Sequence, residues 1–161
     1  MEHTDKVLHG LLHQTVALKF QVQQFHWNVV GPNFSSLHKM LETVYEELED
    51  ATDEIGEKIR SHRMQGPFVD FSHGEVENQL EIMLKLGRNL GLSFTEENNP
   101  RDYKLKRLNL LNEAIISNIS YWIKELHDKP SVQDFVIARK QAHEEHRYFL
   151  ENQFTKASDG S

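Results

Sequence analysis

The chain has 161 residues, 38% of them hydrophobic and 27% charged, and a formal net charge of −7. That length suits one domain with a real core, burying roughly two-thirds of the unfolded chain's surface, and the composition is that of an ordinary soluble globular protein. The absence of cysteine excludes disulfides, thiolate metal sites and cysteine nucleophiles. No apolar run approaches the roughly 18 residues of a membrane span. Met1 to Leu12 carry no apolar signal-peptide core, so the expected location is the cytoplasm. An acidic chain is repelled by phosphate backbones and attracts cations. Ten histidines beside an excess of carboxylates point to iron, zinc or manganese chemistry, the plain alternative being a histidine-rich surface.

A first helix is expected from about Thr4 to Val30. Leu8, Leu11, Thr15, Leu18, Val22, Phe25 and Val29 recur at steps of three and four, the seam of an antiparallel bundle. Gly31-Pro32-Asn33 stops it, because proline disfavours a helical residue before it. A second helix follows from about Ser35 to His62, with the stripe Leu37, Leu41, Val44, Leu48, Ala51, Ile55 and Ile59. The short link makes the two antiparallel neighbours. From Arg63 to Pro100 the pattern weakens, though Gly74 to Gly87 can hold a short helix with Val76, Leu80, Met83 and Leu84 on one side. A third long helix is expected over Asp102–His127, with Leu105, Leu108, Ile115, Ile119, Trp122 and Leu126 inside. After the Lys129-Pro130-Ser131 break, a fourth runs to about Phe154, with Val132, Phe135, Ala142 and Phe149 inward. The expected fold class is all-α: one domain over residues 1–161, a four-helix bundle with a short extra helix in the connection between its second and third long helices. Residues 155–161 form a short polar tail.

Helical geometry separates faces, each residue turning about 100°. With the second helix's stripe centred on Leu48, Asp53 and Glu57 fall about 140° and 180° away, and His38 and Glu42 about 80° and 120° away. These four line an outer strip. Glu46, Glu49 and Asp50 share it, so a plain solvated acidic face is the competing reading. On the first helix, Trp27 points about 170° from the core centre, with Val16 and Phe20 on the same outer side and His26 at the edge. An outward apolar stripe of this kind marks an interface. A partner subunit on these faces would bring His26 and His38 of one chain near Asp53 and Glu57 of another. Two imidazoles and two carboxylates suit ferrous iron, and Asp53 and Glu57, four apart, can reach one point above the helix.

The segment from Phe25 to Leu41, FHWNVVGPNFSSLHKML, resembles the signature of the Dps family of ferritin-like cage proteins. In that family a histidine-tryptophan-asparagine ends the first helix, a second histidine lies twelve residues after the first, an aspartate follows fifteen later and a glutamate four after that. His26, His38, Asp53 and Glu57 occupy those positions without a gap. The resemblance is strongest over the first two helices, looser at Ala142-His143-Glu144-Glu145-His146, and poor from Met64 to Arg101. It implies a ferritin-like bundle assembled into a hollow homododecamer with sites at two-fold dimer interfaces. It further implies ferrous iron (Fe2+, stored as Fe3+) oxidised with hydrogen peroxide or oxygen, and protection against oxidative stress. His26, His38, Asp53 and Glu57 would be the iron ligands, Trp27 their neighbour, and Glu42 would stand where many members have aspartate. Family members that bind DNA often use a lysine-rich tail, whereas each terminus here carries one lysine and at least one acid. A shell of about twelve copies would carry roughly −84, twelve times −7, which opposes phosphate binding. No tight DNA binding is therefore expected, and a nucleoid-compacting shell with incidental iron is the alternative.

Other constellations have weaker claims. His9 and His13, four apart, could clamp a surface metal or form an incidental pair. His143 and His146 could join Glu144 or Glu145 in a second metal site. No Glu-x-x-His pair lies on a core stripe, which weighs against a di-iron site inside one bundle. Asp128 and Asp134 could line an acidic pore that guides cations inward. Alternatively Asp134, with Ser131, offsets the dipole of the last helix.

Overall fold

The computed structural model describes residues 2–62, 69–70, 72–92 and 100–154. Five helices follow in order: α1 His3–Asn28, α2 Phe34–His62, α3 His73–Asn89, α4 Pro100–Glu125 and α5 Pro130–Phe154. The expected tail, 155–161, lies outside the described residues, as does much of the connection between residues 63 and 99. No helix among the described residues is long and apolar enough to cross a membrane.

Local chemistry sets the helix ends. Gly31 and Asn33 take positive φ (90° and 63°), a backbone that suits glycine and, next best, asparagine. The chain reverses there, and the Phe34 amide donates to the Gly31 carbonyl at 3.2 Å. Ser72 caps α3 by accepting from the Glu75 amide, the serine half of a capping box. At its other end Leu92 N–H reaches the Gly87 carbonyl and Gly91 N–H the Arg88 carbonyl, with Gly91 at φ 83°. That is the six-to-one and five-to-two pattern of a Schellman stop. Pro130 opens α5, where its missing N–H has no helical partner to lose.

α1 packs along α2 and α4 along α5, and α3 lies across α1 and α4. The expected stripes of α1 and α2 are buried throughout. Because α3 and α4 also cover α1, Val16 is buried within the chain (4% exposed). It therefore does not belong to an outward apolar stripe. An amide chain ties three helices: Asn118 donates to Gln14, Gln14 to Gln79, and Gln79 to Glu75.

α5 corrects the expected register. Its buried face is Val132, Val136, Arg139, His143, His146 and Leu150, whereas Phe135, Ala142 and Phe149 are only partly covered. Three polar side chains occupy the core, and apolar periodicity cannot register them. Arg139 donates from both terminal nitrogens to the Glu47 carboxylate, at 2.5 and 3.0 Å. His146 Nε2 bonds the same carboxylate at 2.7 Å. His143 Nδ1 donates to Asn112 Oδ1, whose amide returns a bond to the His143 carbonyl. His143 Nε2 is left to accept from Arg139 at 3.4 Å. The proposed joining of His143 and His146 with Glu144 or Glu145 is thus overturned. Both rings face inward, and their acidic neighbour is Glu47, whereas Glu144 pairs with Arg147.

Burial first, then the Arg139 and His146 charges, holds the His143 imidazole neutral, well below its usual range. Burial works against the Glu47 carboxylate, but bonds from His146 and Arg139 outweigh it and hold it far below the ordinary value. Both shifts have the same sign for stability. The unfolded His143 takes a proton below about pH 6.5 that the folded one refuses, and unfolded Glu47 does so below about pH 4.5. Melting temperature should therefore fall as pH drops below 6.5, and a His143→Gln chain should show a smaller slope between pH 5 and 6.5. Glu47→Ala, which leaves Arg139 and His146 buried without their anion, should cost about 2–4 kcal/mol in chemical denaturation. That figure sits below a fully buried pair because Glu47 is partly solvated. Gly87→Val should also destabilise, by about 2 kcal/mol, since any Cβ there meets the Leu110 side chain.

Candidate metal centre

Where α1 ends and α2 begins, two histidines are locked against each other. His26 Nδ1 bonds the His38 carbonyl at 2.8 Å, and His38 Nδ1 bonds the His26 carbonyl at 3.0 Å. A carbonyl only accepts, so each Nδ1 carries a proton, and in the neutral ring that leaves the lone pair on Nε2. The rings stack with centroids 3.7 Å apart. Metal-ligating histidines are commonly anchored in this way, one ring nitrogen held by a carbonyl and the other left for the metal.

Two further rings bracket the pair. Phe34 stacks on His38 and Tyr45 meets His26 edge-on, each with centroids 5.0 Å apart. Partial burial, and the carboxylates of Glu42, Glu46 and Glu49, push the Tyr45 phenol upward. Trp27, next to His26, is 66% exposed, and Phe20, Val30 and Phe34 are exposed as well. The outward apolar surface is therefore real, but it is made of these four residues without Val16.

Asp53 and Glu57 lie on the same outer strip, further along α2. They line an open depression with Thr52, Gly56, Arg60 and Asp70. The Asp53 charge, and a hydrogen bond that protonated Glu57 donates to the Asp53 carboxylate, push the Glu57 carboxyl upward, which is the behaviour of two neighbouring carboxylates. His38 and Asp53 are fifteen residues apart on one helix, about 22 Å of rise. One ion cannot bridge that distance, and among the described residues no three histidine, aspartate or glutamate side chains gather around a common point. The chain therefore builds two half-sites, one of imidazole and one of carboxylate. Glu42 stands one turn from His38 and is engaged by Lys39 at 3.4 Å. That bond and the lysine charge hold its carboxylate below the ordinary value.

The remaining residues fall elsewhere. His9 and His13 each turn Nδ1 to the carbonyl four residues back, and His13 is buried, so they do not form an exposed clamp. Asp128 lines a hollow with Lys58, Lys129 and Ser131, where Lys58 donates to Ser131. Asp134 is exposed beyond the first turn of α5, which has no acid, so the dipole-offset role does not fall to it. The inward pairing of Glu47 with Arg139 and His146 was invisible in sequence, because one glutamate among several on α2 carries no distinguishing signal.

Removing the Tyr45 edge should loosen the histidine pair. Tyr45→Leu should weaken cobalt(II) binding, read from visible absorption, by roughly tenfold, a typical loss when a ligand's support is removed. Tyr45→Phe should stay near the parent, because the ring rather than the hydroxyl makes the contact.

The ferritin-like domain family matches residues 6–89, more than half of the chain. A DNA protection during starvation protein of Helicobacter pylori is 38% identical over 56 residues, covering 35% of this chain and 39% of the relative. A low temperature-induced protein of Nostoc is 42% identical over 56 residues, covering 32% and 31%. The chain thus spans about a third of the length of the curated relatives it matches. Among solved structures, a Dps1 mutant of Mycobacterium smegmatis superposes with a TM-score of 0.74 at 22% identity, covering 93% of each chain. Dps of Staphylococcus aureus gives 0.73 at 20%, covering 94% and 95%. At such identities the likeness is one of fold. The chain belongs to the ferritin-like domain family, and its resemblance within that family is to the Dps proteins.

Proposed function

We propose that this chain is the subunit of an iron-oxidising, iron-storing cage that protects against oxidative stress, with His26, His38, Asp53 and Glu57 as the ligands of ferrous iron. One observation carries the reading. A carbonyl-anchored histidine pair and a pair of neighbouring carboxylates sit about 22 Å apart along one outer helical strip. A two-fold axis between them would lay a second α2 antiparallel on the first. Each histidine pair would then meet the other copy's carboxylates, giving two identical sites per dimer, as an isologous interface requires. The exposed Trp27, Phe34 and Phe20 supply apolar area for that contact. Glu42 is at hand as a further oxygen ligand once it leaves Lys39. A twelve-subunit shell is the assembly that the Dps likeness favours.

Two ferrous ions would each give one electron to hydrogen peroxide. The O–O bond breaks, two protons are taken up and two waters leave, and the ferric product collects as mineral. Carboxylates stabilise the ferric state, and the two-electron route avoids hydroxyl radical. Tight DNA binding does not fit the net charge of −7, and retention of duplex DNA in a low-salt gel shift would reverse that view.

Complementation tests the shared site. Two inactive chains, His26→Ala/His38→Ala and Asp53→Ala/Glu57→Ala, are denatured, mixed equally and reassembled. Random pairing makes half the dimers mixed, and each mixed dimer holds one complete site of two, so about a quarter of wild-type ferrous oxidation should return. No recovery in mixed shells of correct size would mean that the site is not built across the interface.

A further inference from the structure

A cavity of about 430 Å³ opens between the end of α1 and the start of α4, with neither His26 nor His38 in its lining. That size suits a small organic molecule. Three cations, Arg101, Lys104 and Arg107, line it at intervals of three along α4. Opposite them α1 contributes the amides of Gln21, Gln24 and Asn28. Phe25, Val29 and Leu108 make an apolar floor, and no acid is among the described lining residues. Gln21 Oε1 accepts from Arg107 Nε at 3.3 Å, which orients that guanidinium.

This arrangement works against the helix that carries it. Cations on successive turns of one face repel each other. Arg101 also sits in the first turn, at the positive end of the helix dipole, where acids are favoured. The stretch from Pro100 to Leu108 has four cations against the single acid Asp102, in a chain whose net charge is −7. Local rules broken together, beside a cavity of ligand size, are the mark of a binding site. We infer that the α1–α4 cavity binds a small organic polyanion, through carboxylate or phosphate groups set on Arg101, Lys104 and Arg107. The amides orient the ligand, and the apolar floor takes its body. None of the cavity's lining residues is a proposed iron ligand.

The test is calorimetric titration of the iron-free, full-length chain with citrate and, separately, pyrophosphate. At least one should bind with a Kd below about 1 mM. Lys104→Ala, at an exposed position, should weaken it about tenfold or more, the value of one charge-assisted contact. Gln24→Glu, also exposed, should do the same by placing a like charge at the rim, while Lys140→Ala on α5 should leave binding unchanged. Citrate alone would identify a carboxylate ligand, pyrophosphate alone a phosphate ligand, and both a site that reads charge. The inference falls if neither probe binds at 10 mM, or if both cavity variants bind as the parent does. It also falls if a DNA duplex binds in a Lys104-dependent way and the small anions do not, since the cations would then be a backbone-binding patch.

Discussion

Two hydrogen bonds between His26 and His38 hold together the part of the molecule on which everything else depends. Each ring nitrogen takes the other residue's carbonyl, so the last turn of α1 and the first turn of α2 are bolted at short range. The His26 carbonyl lies in the last turn of α1, where a C=O has no helical N–H to accept from. The bond that satisfies it is therefore also the bond that places a proton on His38 Nδ1. Fold and chemistry share the same four atoms, and the Gly31–Asn33 turn, with its two positive φ values, gives the geometry for both.

A second constraint runs through the core. Glu47 faces inward one position from Glu46, which faces out, so a single helix keeps one carboxylate for internal structure and a row of others for the surface. Arg139 and His146 answer Glu47, and His143 is held neutral between Arg139 and Asn112. The compensation is incomplete: Arg139 Nε and His146 Nδ1 are buried without a hydrogen-bond partner among the described residues. Charged groups buried in this way contribute little net stability, but breaking one partner is costly. They specify how α5 is seated against α2 more than they hold the two together.

The all-helical fold was legible because α1 and α2 repeat their apolar residues at bundle spacing, and every member of both stripes is buried. The register of α5 was not, because its core face includes Arg139, His143 and His146, which a hydrophobic pattern reads as surface. Val16 was misjudged for a related reason. One helix wheel says which side faces its partner, but not that α3 and α4 also cover α1. At the site, the outward placement of Asp53 and Glu57 followed from the angle per residue alone. The pairing of His26 with His38 across a turn did not, since a main-chain carbonyl as partner leaves no trace in side-chain identity. The α1–α4 cavity was equally hidden, because it needs two segments about 80 residues apart to meet, a separation no local pattern spans.

The distance between the two half-sites has a consequence for timing. Under the reading proposed here, a newly synthesised chain holds half of each of two reaction centres and none complete. It is inert towards ferrous iron while it folds and diffuses. Oxidation becomes possible only when a second chain docks, and by then a wall of the container is already in place. On that proposal the spacing along α2 would order events in time: the vessel would be begun before the reaction that fills it could start, and stray monomers would release no ferric precipitate into their surroundings.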